Sequence, residues 1–158
     1  MTDDLASFYA AVYPRLVAVV ALSTGSRSEA EEAVQDAVVA LLPRWNAVHT
    51  YDDPEAWLRR VAMRKAISRW RRARTASAVL VRLGPARDVP APSAHDVDLQ
   101  RALARLPVPQ RQVLVLHYVV GLSVDEIARE LGVASGTVKS RMSRGRAALA
   151  PDLEEVFP

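Results

Sequence analysis

Residues Gly121–Leu149 read GLSVDEIARELGVASGTVKSRMSRGRAAL, and this stretch decides the fold of the second half of the chain. Ser123 and Glu126, three residues apart, match a capping box, in which each side chain bonds the other residue's backbone N–H. Four apolar residues follow at the spacing of one helix face: Val124, Ile127, Ala128 and Leu131. Gly132 suits the left-handed conformation that ends many helices, so the stretch predicts a capped helix and a tight turn.

A second helix is predicted after this turn, with Ser135 able to cap it. One side of that helix would be apolar or small: Val138, Met142, Gly145 and Leu149. No acidic residue occurs from position 131 to 151, while four basic residues do: Lys139, Arg141, Arg144 and Arg146. This pattern indicates either a helix-turn-helix, whose second helix enters the major groove of DNA, or a plain helical hairpin with a solvated basic face.

The composition excludes several classes of protein. There is no cysteine, and the 3 histidines, His49, His95 and His117, lack metal-ligand spacing, so no metal or other cofactor is expected. The longest apolar run, Leu16–Leu22, is shorter than the ~18–20 residues of a bilayer span, so no membrane insertion is expected. We therefore expect a cytoplasmic chain that is monomeric when free.

Charge is distributed unevenly along the 158 residues, although the net charge is only +3. Residues 1–55 hold nine acids and three bases, whereas residues 56–87 hold ten bases and no acid. Such asymmetry predicts one surface for a basic protein partner and another for a polyanion.

Two helices are predicted before residue 45. The first would begin at Thr2 and kink or restart at Pro14, because proline removes a helical hydrogen bond. After a break at 24–26, a capping box of Ser28 and Glu31 would open the second helix. Its buried stripe would be Ala33, Val34, Ala37, Val38, Leu41 and Leu42. Off this stripe lie Glu29, Glu32, Gln35 and Asp36, which form either a solvated acidic face or a docking surface.

A long third helix is predicted from Asp53-Pro54, where aspartate caps and proline fits the first helical position. A polar loop, residues 46–53, precedes it between Trp45 and Trp57. The helix carries two polar stripes, the first with Arg60, Arg64, Ser68 and Arg71 and the second with Lys65, Arg69 and Arg72. Cations beside indole rings suit a separating DNA strand, although a core position is the commoner role of a single tryptophan.

Residues 79–95 contain three prolines and a glycine and predict a flexible linker. If extended, about 17 residues span ~55–60 Å, roughly one and a half turns of B-DNA. Helices are predicted over Val97–Leu106 and Gln110–Val119, bracing the helix-turn-helix. The predicted fold is therefore all-α, with two small helical domains, residues 1–78 and 96–150, and a tail, residues 151–158.

The second half resembles region 4 of bacterial RNA polymerase sigma factors of the extracytoplasmic-function group. The resemblance rests on the run Gly136–Arg141 and on the preceding Leu106-Pro107-x-Pro109-x-Arg111-x-Val113-Leu114. In the first half, residues 30–36 resemble sigma region 2.2 and residues 53–74 resemble regions 2.3 and 2.4. Many members carry Arg-Asn near Met63-Arg64 and Asp at Ser68, so the base preference of this chain is expected to differ.

The resemblance implies three sets of contacts and no catalysis by the chain. The −35 duplex would be contacted by Ser135, Thr137, Lys139, Ser140, Arg141, Ser143 and Arg144. The −10 strand would be contacted by Asn46, His49, Tyr51, Arg60, Arg64, Lys65, Ser68 and Arg71. Core RNA polymerase would be bound through Glu32, Gln35 and Asp36. The family commonly has an anti-sigma factor that masks regions 2 and 4.

Three alternatives remain open at this point. The chain could be a stand-alone helix-turn-helix regulator, which would bind duplex DNA without polymerase. It could also be a sigma-like interaction module that no longer reads promoters, a possibility kept open by the departures at Arg64 and Ser68. An enzyme such as a serine recombinase is disfavoured, because no strand-like alternation precedes the linker.

Overall fold

The computed structural model describes the backbone of residues 2–77 and 94–156, and the side chains of residues 4–76 and 99–151. Within these ranges every regular element is helical, which confirms the predicted all-α class. The elements are α1 (Thr2–Thr24), α2 (Arg27–Leu41), a 3₁₀ turn (Leu42–Arg44), α3 (Trp45–Val48), α4 (Pro54–Ser77), α5 (Ala94–Ala104), α6 (Val108–Tyr118), α7 (Val124–Leu131) and α8 (Ser135–Val156).

The first lobe is built by α1, α2 and α4, which pack around a shared apolar core. Its largest fully buried side chains include Leu16, Leu41, Leu58 and Met63. At Pro14, α1 does not restart as a second helix but runs through the proline, and the predicted kink stays a prediction. Ala10, whose carbonyl loses its helical partner, lies with Pro14 on the exposed side, where water can satisfy that carbonyl.

Because α1 is continuous, its segment Asp4–Thr24 is long and apolar enough to cross a membrane by length and composition alone, with a mean hydropathy of 1.7. The sequence prediction counted only the shorter run Leu16–Leu22. One side of α1 is buried in the core of this lobe through Val12, Leu16, Val17, Val20 and Ala21. Helix packing accounts for that side of the helix, while Ala10, Ala11 and Ala18 are exposed.

The start of α2 corrects the predicted capping box. Ser26, not Ser28, is the N-cap, and its side chain accepts the backbone N–H of Glu29 at 3.2 Å. Glu31 instead accepts a hydrogen bond from Arg27, at 2.9 Å. The chain enters the helix two residues early because Gly25 adopts φ 76° and ends α1 directly before the cap. At α4 the prediction is confirmed, since Asp53 accepts the N–H of Ala56.

The second lobe is built by α5 to α8, and it contains the predicted helix-turn-helix. Both hydrogen bonds of the Ser123–Glu126 capping box are present, and Gly132 ends α7 in the left-handed region at φ 68°. Val138, Met142 and Leu149 are buried on one side of α8, as predicted. Ser135 is the first residue of α8, and its hydroxyl donates to Asp125 on α7 at 2.9 Å, which ties the two helices together.

The predicted linker and tail both overlap helices of the structure. Residues 79–93 of the predicted linker lie outside the described residues, and its last two residues already belong to α5. At the other end, α8 continues through Pro151 to Val156, so most of the predicted tail is helical backbone. The helices α5 and α6 begin two or three residues earlier than predicted.

The two lobes pack directly against each other. The first helix, α1, contacts α5 and α6, while α4 contacts α6 and α7. A hydrogen bond links the lobes in the buried interior, where the side-chain amide of Gln112 donates to the carbonyl of Met63 at 2.8 Å. The sequence left the relative placement of the lobes open, and the structure settles it as a closed arrangement.

The corrected cap yields a stability prediction. Replacing Ser26 with alanine should lower the free energy of unfolding by about 1 kcal/mol, because the N–H of Glu29 loses its acceptor. Ser28→Ala, two residues further on and exposed, is the matched control and should change it by less than about 0.5 kcal/mol. Urea denaturation followed by helical circular dichroism measures both; a larger loss for the Ser28 variant would contradict the assigned cap.

Candidate nucleic-acid and polymerase interfaces

The outer side of α8 presents most of the residues predicted for duplex DNA. Lys139, Ser140, Ser143 and Arg144 are exposed, on the side opposite to the buried Val138 and Met142. Ser135 and Thr137 are half-buried at the start of the helix. The α7–α8 packing therefore fixes a solvent-facing polar and basic strip, of the kind that enters a major groove.

Arg141 differs from the other two basic groove residues, Lys139 and Arg144, because it is half-buried. Burial lowers the pKa of its guanidinium, and the positive charge of Arg71 on α4 lowers it further. Among the described residues, its Nη1 atom has no hydrogen-bond partner. In this arrangement one cation of the predicted −35 surface therefore lies close to one cation of the predicted −10 surface.

The polar stripe of α4 is open to solvent along most of its length. Arg60, Lys65, Ser68 and Arg71 are exposed. Trp70 is half-buried beside them, with the guanidinium of Arg74 4.8 Å from its ring centroid. These side chains form a basic surface with an aromatic face, which fits the backbone and bases of a single strand.

Arg64 lies on the same stripe but contacts the other lobe. Its Nε donates to the carbonyl of Glu130 at 3.0 Å, and its Nη2 donates to that of Arg129 at 3.3 Å. Both carbonyls are at the end of α7, where a cation also interacts favourably with the helix dipole. Arg64 therefore joins the two lobes, but its side chain is exposed, and its contact with the strand stays a prediction.

The predicted −10 loop is shorter than expected. Asn46 belongs to the short helix α3, and only residues 49–53 connect it to α4. Asn46, His49 and Tyr51 are all exposed, which leaves them accessible to a base. Trp45, in contrast, is buried, with its ring centroid 5.1 Å from that of Phe8, so its role is in the core.

The acidic face of α2 is exposed at all three predicted polymerase-binding positions, Glu32, Gln35 and Asp36. Arg69 of α4 contacts both acids of this face. Its Nη2 lies 2.8 Å from Glu32 Oε2, and its Nε lies 3.6 Å from Asp36 Oδ2. Arg69, which the sequence places on a polar stripe of α4, therefore orders the neighbouring acidic face.

An apolar extension of this face was missed by the sequence reasoning. Val39 is 66% exposed and Leu42, which was assigned to the buried stripe, is 55% exposed. Leu42 leaves the stripe because the helix tightens into a 3₁₀ turn at that residue, which rotates the following positions. Acidic and apolar groups thus lie on one surface, a combination that favours a protein partner over solvent alone.

Two charged residues outside every predicted set form the tightest contact between the lobes. Arg59 of α4 makes three hydrogen bonds to the carboxylate of Glu130 on α7, the shortest at 2.7 Å. Their side chains are only 13% and 5% exposed. The one signal of this contact in the sequence was an acid, Glu130, at the end of a helical apolar pattern. Its partner Arg59 is 71 positions away, so residue spacing could not identify it.

The side chains that commonly bind metals lie apart from one another in the part of the chain that the structure describes. Among those residues, no three histidine, cysteine, aspartate or glutamate side chains cluster in a way that could hold a metal ion.

Comparison with known proteins matches both lobes, in the order in which they occur. The family model "Sigma-70 region 2" matches residues 8–76, and "Sigma-70, region 4" matches residues 96–149. The chain is 39% identical over 131 residues to the ECF RNA polymerase sigma factor SigM of Mycobacterium tuberculosis, covering 82% of this chain and 66% of SigM. The chain thus spans just under two thirds of the length of that relative.

Two further matches agree with this assignment. The RNA polymerase sigma-E factor of Streptomyces avermitilis is 34% identical over 134 residues, covering 80% of this chain and 72% of that protein. The sigma factor RpoE from Bartonella quintana, solved in complex with the anti-sigma factor NepR, superposes with a TM-score of 0.72 at 26% identity. That match covers 96% of this chain and 97% of RpoE. With both sigma regions matched in order, the chain belongs to the extracytoplasmic-function group of the sigma-70 family of RNA polymerase sigma factors.

Proposed function

We propose that this chain binds core RNA polymerase and directs it to promoters, where it helps to melt the DNA and start transcription. The observation that carries the proposal is the combination, on one chain, of a basic single-strand surface on α4 and an exposed recognition strip on α8. A regulator that binds only duplex DNA would need the strip on α8 but not the single-strand surface on α4. The proposed contacts are those of the family to which the chain belongs.

In this proposal, α8 reads the −35 duplex in the major groove. Arginine and lysine there neutralise phosphates or pair with guanine edges, and the serine hydroxyls bond to base edges or phosphates. Lys139, Ser140 and Arg144 are exposed and need no rearrangement to make such contacts. Contacts to the backbone would set the position of the lobe on DNA, and contacts to bases would set its preference.

The exposed stripe of α4 and the loop after α3 would hold the separated −10 strand. Taking a base out of the stack costs a few kcal/mol, which a protein recovers by stacking and by hydrogen bonds to the base. Arg60, Lys65 and Arg71 would neutralise its phosphates, while Asn46, His49 and Tyr51 would contact an extruded base. Because these contacts favour the single strand over the duplex, binding itself would drive melting.

Docking on polymerase would use Glu32, Gln35 and Asp36 together with the apolar Val39 and Leu42. Arg69 holds both carboxylates of this face, so the acids are already ordered before a partner binds. The chain would contribute binding alone, and polymerase would make the RNA.

Such a role requires a cytoplasmic location, and the RpoE complex with NepR suggests that an anti-sigma factor controls this chain as well.

Reconstituted transcription tests the proposal directly. The purified chain and core polymerase are incubated with genomic fragments, and run-off transcripts are mapped. Defined start sites that require both components are expected. Tight duplex binding without transcription would instead support a stand-alone regulator, and polymerase binding without initiation would support an interaction module.

The docking surface yields a prediction on polymerase affinity. Replacing Glu32 with glutamine and Asp36 with asparagine should weaken binding to core polymerase about tenfold, because two interfacial charges are lost. The matched control removes two charges elsewhere on the same lobe, through Asp4→Asn and Asp52→Asn, both exposed, and should bind as the unaltered chain does. Fluorescence anisotropy of the labelled chain measures both, and equal affinities for the two variants would remove α2 as the docking surface.

The recognition strip yields a prediction on promoter affinity. Arg144→Ala should weaken binding to a mapped promoter duplex by about 1–3 kcal/mol if the guanidinium pairs with a base edge. Arg101→Ala, at an exposed arginine on α5, is the control and should leave promoter affinity nearly unchanged. Electrophoretic mobility shifts on promoter and random duplexes measure both. An equal loss on the two DNAs would make Arg144 a phosphate contact.

A further inference from the structure

We propose that the junction between α4 and α8 is a binding site for a small phosphate compound, held by Arg71 of α4 and Arg141 of α8. Two cations lie close together there, and no carboxylate among the described residues forms an ion pair with either of them. The site does not depend on the proposed function, because neither a promoter nor polymerase takes part in it.

The course of α4 along the second lobe brings these two arginines together. Arg64 lies over Gly132, which ends α7, with its Nη2 3.0 Å from the place that a Cβ would occupy. Arg71 follows on the same side of α4, roughly two helical turns or about 10 Å further along. The helix α8 begins shortly after Gly132, and Arg141 lies in its second turn. The charge of Arg71 therefore acts on Arg141 across the junction.

Arg141 has hydrogen-bonding capacity that the rest of the protein leaves unused. Its side chain is half-buried, and its Nη1 atom, which is closed off from water, has no hydrogen-bond partner among the described residues. A buried donor without a partner is unfavourable, and more so on a charged group. Burial lowers the pKa of this guanidinium, and the charge of Arg71 lowers it further, but an arginine stays protonated near neutral pH. The unpaired charge therefore persists.

The neighbouring helices offer no free acid to balance these charges. No acidic residue follows the first turn of α4, and none occurs in the first four turns of α8. On α7, which contacts both helices, Glu130 is bonded to Arg59, and Asp125 accepts a hydrogen bond from Ser135. An anion from outside the chain is therefore the group that can neutralise the pair.

A phosphate group suits this pair better than an anion with a single charge. It carries close to two negative charges at neutral pH, and its several acceptor oxygens can bond to two guanidinium groups at once. Arg71 is exposed, so the junction is open to solvent on its side. Because Arg141 is half-buried, a small ion can approach it more easily than the rigid backbone of a DNA duplex can. The ligand we infer is therefore a free phosphate compound.

Calorimetric titration of the chain alone with inorganic pyrophosphate, at constant ionic strength, tests the site. We expect one bound ion per chain. Arg141→Gln and, separately, Arg71→Gln should each weaken the affinity at least about tenfold, because each removes one of the two cations that hold the ion. Lys139→Gln, at an exposed lysine of α8, removes the same charge and is the matched control. It should change the affinity by less than about twofold, because solvent screens that charge.

Thermal unfolding gives a second result that a merely structural arginine would not give. In chloride buffer without phosphate, Arg141→Gln should melt no lower than the unaltered chain, because it removes a partly buried charge that has no partner. Pyrophosphate at about 100 times its Kd should raise the Tm of the unaltered chain by at least about 5 °C. The same concentration should raise the Tm of Arg141→Gln by no more than about half as much.

The remaining outcomes decide against the site. Absence of pyrophosphate binding would overturn it, and so would equal losses in Arg141→Gln and Lys139→Gln, which would show attraction by the general charge of α8 alone. A short duplex of random sequence is the second ligand. If both arginine variants lose duplex affinity while the unaltered chain binds no pyrophosphate, the phosphates of DNA are the ligand and the proposed site is wrong. If Arg141→Gln loses helical circular dichroism, Arg71→Gln, at an exposed position, decides the test.

Discussion

The arrangement of this molecule depends on the packing of its two lobes against each other, and the largely buried ion pair of Arg59 with Glu130 lies in that contact. One apolar core runs through both lobes, so separating them would expose buried hydrophobic surface to water. Two opposite charges withdrawn from water are a different matter, because their desolvation is costly and is offset only by good geometry. Three hydrogen bonds provide that geometry here, and they exist only while α4 and α7 are in contact.

The contacts beside this ion pair involve the C-terminal end of α7. Arg59 and Arg64 are five positions apart on α4, and both reach the last turn of α7. Gly132 ends that turn with φ 68°, and without a side chain it leaves room for the guanidinium of Arg64. A glycine that closes a helix thereby also gives the other lobe access to the unpaired carbonyls at its end.

A further arginine of α4 also binds a neighbouring helix. Arg69 was assigned to the basic stripe of α4, but it binds Glu32 and Asp36 on α2. The arginines of α4 therefore fall into three groups, which face the other lobe, the acidic docking face and the solvent. The solvent-facing group is the one proposed to contact the strand, and with this division one helix contacts three different surfaces.

The amino-acid sequence by itself determined the helices, the helix-turn-helix with its capping box and glycine turn, and the exposed side of α8. These features depend on residues fewer than eight positions apart, so local spacing and capping chemistry are enough to specify them. The cap of α2 was predicted at Ser28 instead of Ser26, because a serine at either position can cap a helix. Leu42 was predicted to be buried because it continues the apolar spacing of α2. Only the tertiary structure decided the closed placement of the lobes, the pairing of Arg59 with Glu130, and the partners of Arg64 and Arg69. Those outcomes depend on partners far apart in sequence, and the direction of an arginine is set by whichever acid or helix end the fold brings within its reach.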